Sequence, residues 1–553
     1  MQLFLLRFYK PLFATSIRTS IKSYLSQILF IRHNLRLWRS ATPVKPTGEI
    51  LLEPFNQPDW LISAAYFCNT LAKKSNSRIA SFHQPTILGY LKFFFSPNTH
   101  IRFSFNVNKF IFIRLNRSQK AKLNIIKNEF KMGVKTKKAL LHYCIDGINI
   151  GEDIYETYLK SGNPTVSFAD KQLWSIAHEA FSHYLFWHDY LRVNNVQAVV
   201  ISHDCYILSN VPAKIAYKYN IPVYLPSPRS LARSDYPHSL YKNRFLGYKS
   251  DFLKLPQHIQ DSAVLFAKSR LELRLGGEVG VDMTYSTASA FSQTFSNQPL
   301  LVQSQRPKVV IYTHCFYDNP HAYGDMIFPD FLEWLYYLGN ISLKTDYDWY
   351  IKCHPDALPG TADVIHDYVS KYTNIKLLPN TSSTHQLVAE GLTAALTCYG
   401  SIGHELPLLN VSVINAGLNP HISHSFNIHP KTLDEYSNAI YGISALYHNM
   451  PRIDYNEIYK FYYMHYAHYY IDSLIFASHK HAEEVAIKNN NPHAFYQHYI
   501  DTFNPTKHCE AINVINQYLE SSIPLLDATL YQEYIANITD QVLAETSHLF
   551  LSD

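Results

Sequence analysis

The stretch AALTCYGSIGHELPLLNVSVIN, residues 394–415, holds two short apolar runs, AALTC (394–398) and VSVIN (411–415), on either side of a glycine-bearing turn. Each run is strand-like in length and composition and suits burial on both faces. Gly403–Leu409 between them reads as the start of a helix. The same alternation extends in both directions. KVVIYT (308–313), DWYIK (348–352) and residues 375–378 read as strands. Residues 328–343, 362–372, 384–390 (capped by Ser383 or Thr384) and 433–446 read as helices. Strands alternating with helices from 308 to 446 predict a doubly wound parallel sheet.

A second β-α-β unit lies upstream: an aromatic helix over 171–193, the strand QAVVIS (197–202), a helix over 212–219 and a strand over 221–225. Residues 227–251 read as loop, and the polar stretch 292–305 as an interdomain linker. The span 45–165 resists division, because apolar runs at 86–95 and 110–113 are split by Lys-rich segments. The expected fold is α/β: two Rossmann-like doubly wound parallel-sheet domains facing a cleft. The expected division is a basic amphipathic arm (1–44), an N-terminal acceptor domain (45–300), a C-terminal nucleotide-donor domain (301–455), and a helical tail (456–553) packing across both.

Composition narrows the function classes. Of 553 residues, 47% are hydrophobic, which excludes a disordered or collagen-like chain. Seven cysteines without a CxxC argue against a zinc ribbon or a disulfide framework and fit a reducing cytoplasm. The net charge of +5 is uneven: residues 1–48 carry eight basic side chains and no acid, so the rest of the chain sums to −3, the difference between +5 and +8. Leucines, isoleucines and phenylalanines interleave this arm. Such a segment suits an anionic membrane surface, or equally a basic helix packed on the acidic body. A second basic block, Arg102–Lys138, has eleven Lys/Arg against Glu129 alone.

Ligands of open parallel sheets sit at the carboxyl ends of strands. Four such ends in the second unit run into polar loops: His314 onward, Cys353-His354-Pro355-Asp356, Tyr399–Glu405, and Ala416–His421. Backbone N–H groups around Gly400 and Gly403 can hold phosphate oxygens, and Ser401 can add a hydroxyl. Glu405 can accept ribose hydroxyls. The plainer alternative makes Ser401 an N-cap and Glu405 a counter-charge to the helix dipole. His354 can donate to a phosphate or act as acid or base, with Lys352 as a further phosphate contact. His314, His404 and Asn419 stand in the same loops. His203 and Asp204 follow QAVVIS, with Asp204 a candidate acceptor-side base. Histidine pairs such as His421/His424 and His465/His468 lack a carboxylate at matching spacing, so no metal is expected. G-x-G-x-x-G, the P-loop and the hydrolase elbow are missing.

The strand-terminal Lys352-x-His354-Pro355 and the Tyr399–Gly417 segment resemble bacterial capsule and surface-polysaccharide transferases of the GT-B fold. These include Kdo-transferring capsule proteins and, more distantly, CDP-glycerol transferases. Residues 199–224 are similar to the first domain of that group, and the resemblance spans about 197–450. It implies that His354, Ser401 and Glu405 bind the donor nucleotide. It also implies a glycosyltransferase that needs no cofactor and acts on a nucleotide-sugar donor and a glycan or lipid-linked acceptor; with the cysteine usage and the basic arm, the expected place is cytoplasmic, peripheral to the inner membrane, with no nucleic acid involved. Two alternatives stay open: a CDP-polyol phosphotransferase, and a non-catalytic glycan- or nucleotide-binding partner of a polysaccharide assembly complex.

Overall fold

A computed structural model describes residues 17–39, 45–55, 57–83, 97–234, 240–283, 286–354, 356–449, 452–471, 474–475 and 494–536. The first sixteen residues of the arm, the apolar run 86–95 and Pro355 lie outside them.

Two parallel sheets organise the chain. The first contains β1 (Gly48–Leu52), β2 (Ser77–His83), β3 (Val107–Phe112), β6 (Val196–Val200), β7 (Val223–Ser227) and β8 (Ser230–Ser234), in the order β3-β2-β1-β6-β7-β8. Only β8 runs antiparallel. A two-strand ribbon, β4 (Cys144–Ile145) and β5 (Ile148–Asn149), sits apart. The second sheet contains β9 (Lys308–Tyr312), β10 (Asp348–Lys352), β11 (Ile375–Leu377), β12 (Leu392–Thr397) and β13 (Ser412–Asn415), all parallel, in the order β11-β10-β9-β12-β13. In both, the order reverses beside the first strand, which creates a switch-point crevice at the carboxyl edge. The α/β class with two doubly wound sheets is thus as the sequence predicts.

The second sheet folds as it does because every residue of β9, β10 and β13 is buried, so both faces need apolar cover. Period-two alternation splits them between two cores. Trp349 and Ile351 pack with Phe331, Trp334 and Leu335, while Tyr350 packs with Tyr312, Leu387 and Leu406 on the other face. The polar stretch 292–305 is not a free linker. Phe291 and Leu301 are buried in this second core, and Val302 N–H donates to Tyr350 Oη at 2.7 Å. The interval 227–251 is not a loop either: it supplies β8 and the helix Tyr248–Lys254. Beyond 455, the helix Tyr455–Tyr463 packs on Gln257–Leu275, and Pro505–Glu520 packs on Pro58–Ser75.

The arm helix Ile17–Leu37 is docked on the first domain. Phe30 is 1% exposed and stacks on Tyr496 with ring centroids 4.5 Å apart, and Leu37 and Trp38 enter the same core. Its outer side presents Leu25, Leu29, Arg32 and Arg36, three to four residues apart. Among the described residues, no helix is long and apolar enough to cross a membrane. Phe30→Ala is expected to lower stability by about 3–5 kcal/mol, the loss from emptying a buried aromatic site, and a denaturant or thermal melt measures it.

Candidate functional site

The carboxyl edges of the two sheets meet. Tyr206, after β6, donates its hydroxyl to Asp318 Oδ1 of the β9 loop at 3.3 Å. His321 Nδ1 stands 3.5 Å from Glu156 Oε1 on the helix Gly151–Lys160. Lys137 pairs with Glu333 at 2.5 Å, and Tyr155 donates to Asp330. The crevice these contacts border is where an open α/β pair holds ligands.

On the first-domain side, Glu53 ends β1 and Ser202 follows β6, across the switch point. Ser202 N–H donates to Glu53 Oε2 at 2.7 Å and its hydroxyl to Oε1 at 3.0 Å. His203 Nδ1 lies 2.7 Å from Ser202 Oγ, and its ring stacks on Trp60. Burial, with Lys160 nearby, pushes His203 down to about 3. Burial raises Asp204 to about 6 against the pull of Lys242. Tyr206 holds a φ of 66°, a left-handed conformation that a bulky side chain adopts at a cost. Its ring lies 3.5 Å below Lys160 Nζ.

Glu156 is 1% exposed. Among the described residues its Oε1 and His321 Nδ1 have no hydrogen-bond partner beyond their mutual approach. Burial lifts Glu156 to about 7 despite His321 and Lys242, in the range of a general base at neutral pH. Neighbouring Glu152 is the reverse. Burial alone would raise it, but Lys242, its ion-pair partner, outweighs burial and holds it below the usual carboxylate range. Glu152, Glu156 and His321 offer ligand atoms within 4.8 Å of one another. Lys242 already pairs with Glu152 at that cluster.

On the second-domain side, Lys352 ends β10 and is 2% exposed. Among the described residues its Nζ makes no hydrogen bond and no carboxylate pairs with it. Burial therefore lowers it to about 8. An unpaired buried ammonium at a strand's carboxyl end is an anion site in waiting. His354, two residues on, is exposed; its Nδ1 accepts Asp356 N–H at 3.1 Å, so Nε2 carries the donor proton.

Around the Gly400 loop several backbone N–H groups are already engaged within the protein. His314 Nε2 accepts the N–H of Cys398 at 3.1 Å and lies 2.9 Å from Thr397 Oγ1, whose oxygen takes Gly400 N–H. Burial lowers His314 to about 3, so it stays a neutral acceptor, stacked on Phe331. Gly403 and His404 N–H bond to Gly400 and Ser401 carbonyls. The helix Ile402–Glu405 is a single turn, and Ser401 makes no side-chain cap bond. Glu405 is 2% exposed and ion-paired with Arg274, with Nε at 3.0 Å. His404 is buried against His421 and Phe461, and Asn419 spends its amide on Gly417 O and His429. Arg274→Ala would leave Glu405 buried and unpaired, with an expected loss of about 3–5 kcal/mol in a denaturant melt, whereas Glu405→Gln should cost less.

Of the sequence-predicted residues, Lys352 is buried at the end of β10, His354 is exposed just beyond it and His314 follows β9, while His203 and Asp204 follow β6 in the first domain. Glu405 stands behind His354, while His404 and Asn419 sit inside the packed core. Glu53, Glu156, Lys160 and His321 join the cleft without a sequence motif to announce them. The one local signal for Glu156 is its place four residues after Glu152 on one helix face.

No protein-family profile matches the chain, and no curated protein matches it. Among solved structures it is similar to KpsC, a beta Kdo 2,4 transferase of Thermosulfurimonas dismutans, at 13% identity, TM-score 0.31, over 49% of this chain and 80% of that one. It is similar to a UDP-GlcNAc 2-epimerase of Neisseria meningitidis bound to UDP-GlcNAc, at 11% identity, TM-score 0.24, over 75% and 97%. A glycosyltransferase of Rickettsia africae is similar at 10% identity, TM-score 0.24, over 89% and 100%. Likenesses of this size assign no activity to the chain.

Proposed function

We propose that the chain is a glycosyltransferase that moves a sugar from a nucleotide-sugar donor, held by the second domain, to a hydroxyl of a glycan or lipid-linked acceptor, held by the first. The observation that carries this reading is Lys352, a buried ammonium at the end of a second-sheet strand with no carboxylate partner among the described residues. In this reading the acceptor oxygen attacks the anomeric carbon, the bond from that carbon to the donor phosphate oxygen breaks, and the acceptor proton passes to Glu156. The leaving nucleotide takes up negative charge, which Lys352 and the Nε2–H of His354 stabilise more strongly as it grows. Glu405, braced by Arg274, is proposed to hold the donor side of the loop in place, and Ser401 to line it. The outer Leu25–Leu29–Arg32–Arg36 face of the arm helix suits an anionic membrane surface.

Incubation with CMP-, CDP-, UDP- and GDP-linked donors tests the proposal. Slow donor hydrolysis that an acceptor glycan accelerates supports transfer. Release of CMP with a polyol phosphate on the product turns the reading to phosphotransfer, and binding without turnover turns it to a non-catalytic partner.

A further inference from the structure

The basic block of the first domain ends in a groove that the cleft chemistry leaves unused. The helix Arg117–Gly133 packs on the helix Lys171–Val193, and between them lies a hollow of about 270 Å³ lined by Lys127, Phe130, Lys131, Trp174 and His178. That is near the small end of ligand sites and suits a sugar unit rather than a folded partner. Phe130 is buried and forms the floor. Trp174, half-buried, is the wall: its Nε1–H is tied to Phe168 O at 3.2 Å, which fixes the indole plane. Lys131 Nζ hovers 5.7 Å from that ring, and Lys127, one helical turn earlier, also lines the hollow. His178 is held below its ordinary pKa by burial and by Lys127, so it enters as a neutral hydrogen-bonding group.

The basic helix sets most of the local charge, against Glu179 next to His178 on the facing helix. From Arg114 to Lys138 there are nine Lys/Arg and one acid, Glu129. An aromatic wall beside two ammonium groups complements a sugar ring that bears a negative charge. A bilayer would need a broad convex face instead.

We propose that this groove binds an anionic glycan, one sugar ring lying along Trp174 and its carboxylate or phosphate held between Lys127 and Lys131. As a place for the acceptor chain outside the cleft, it rests on the glycosyltransferase reading; as a binding site it does not.

The test is binding of a galacturonate hexamer to the full chain, with maltohexaose as the uncharged control and phosphatidylglycerol vesicles as the lipid arm, and without donor. The expected result is binding of the galacturonate alone, weakened about tenfold or more in Lys127→Gln/Lys131→Gln and about five- to tenfold in Trp174→Ala, but little in Lys120→Gln/Lys122→Gln on the same helix. Equal losses in both lysine pairs would reduce the groove to diffuse charge and overturn the proposal. So would unchanged binding in Lys127→Gln/Lys131→Gln, or vesicle binding that those substitutions abolish while galacturonate fails to bind. Nucleotide binding, measured on the same variants, should not move. If the wild-type chain binds galacturonate but no nucleotide, the transferase reading fails and the groove stands.

Discussion

Lys352→Met is expected to stabilise the fold and to remove most of the activity. The side chains are similar in length, and methionine needs no counter-charge in a buried site. In the folded chain the ammonium is lowered to about 8, against 10.5 for a free lysine. That gap amounts to a destabilisation of about 3 kcal/mol at neutral pH. Because the folded pKa is the lower one, the destabilisation is present in full below about 8 and fades as pH rises toward 10.5. The variant should therefore melt higher than wild type at pH 7, by a margin that shrinks above pH 8. Turnover should move the other way. Removing a group that meets the leaving phosphate costs on the order of 10²–10³ in kcat. A rise in stability with a fall in rate is the signature of a strained functional group. A structural lysine would lose stability and leave the rate nearly intact.

Glu156→Gln carries the second large effect. Loss of a general base costs about 10²–10⁴ in kcat, and the shape of the pH profile identifies which group was lost. Wild-type kcat/KM should rise through about pH 7 as Glu156 ionises and fall above about pH 8 as Lys352 deprotonates. The glutamine variant should keep the upper limb and lose the lower one. Stability adds an independent readout. The folded pKa of Glu156 is raised above its unfolded value, so its favourable contribution is full below about pH 4.5 and gone above about 7. At pH 8 the buried carboxylate is a burden that glutamine lacks, and the variant should be the more stable protein there.

How much of this was legible in the sequence follows from burial. The strands of the second sheet are covered on both faces, so KVVIYT, DWYIK and VSVIN stand out as apolar runs. β1 does not, although it is fully buried at the centre of the first sheet. It is the five residues GEILL, and Glu49 within it is masked by partners far along the chain, Arg78 and Lys109. Lys352 and His354 could be singled out because a strand end announces itself. Glu156 could not, since GEDIYETYLK reads as an ordinary amphipathic helix and only the fold brings His321 to it. The Gly400 loop was conspicuous, but His314, which takes the N–H of Cys398 just before it, lies more than eighty positions away in sequence.

The most direct test of a donor site in the second domain is an equilibrium titration, at pH 7, of nucleoside mono- and diphosphates onto the wild-type chain and onto Lys352→Met. The predicted result is that at least one of them binds wild type and binds the variant about 10–100-fold more weakly, the worth of one charge-assisted contact. Equal affinity in the two proteins, or no nucleotide binding to wild type at millimolar concentration, would contradict it.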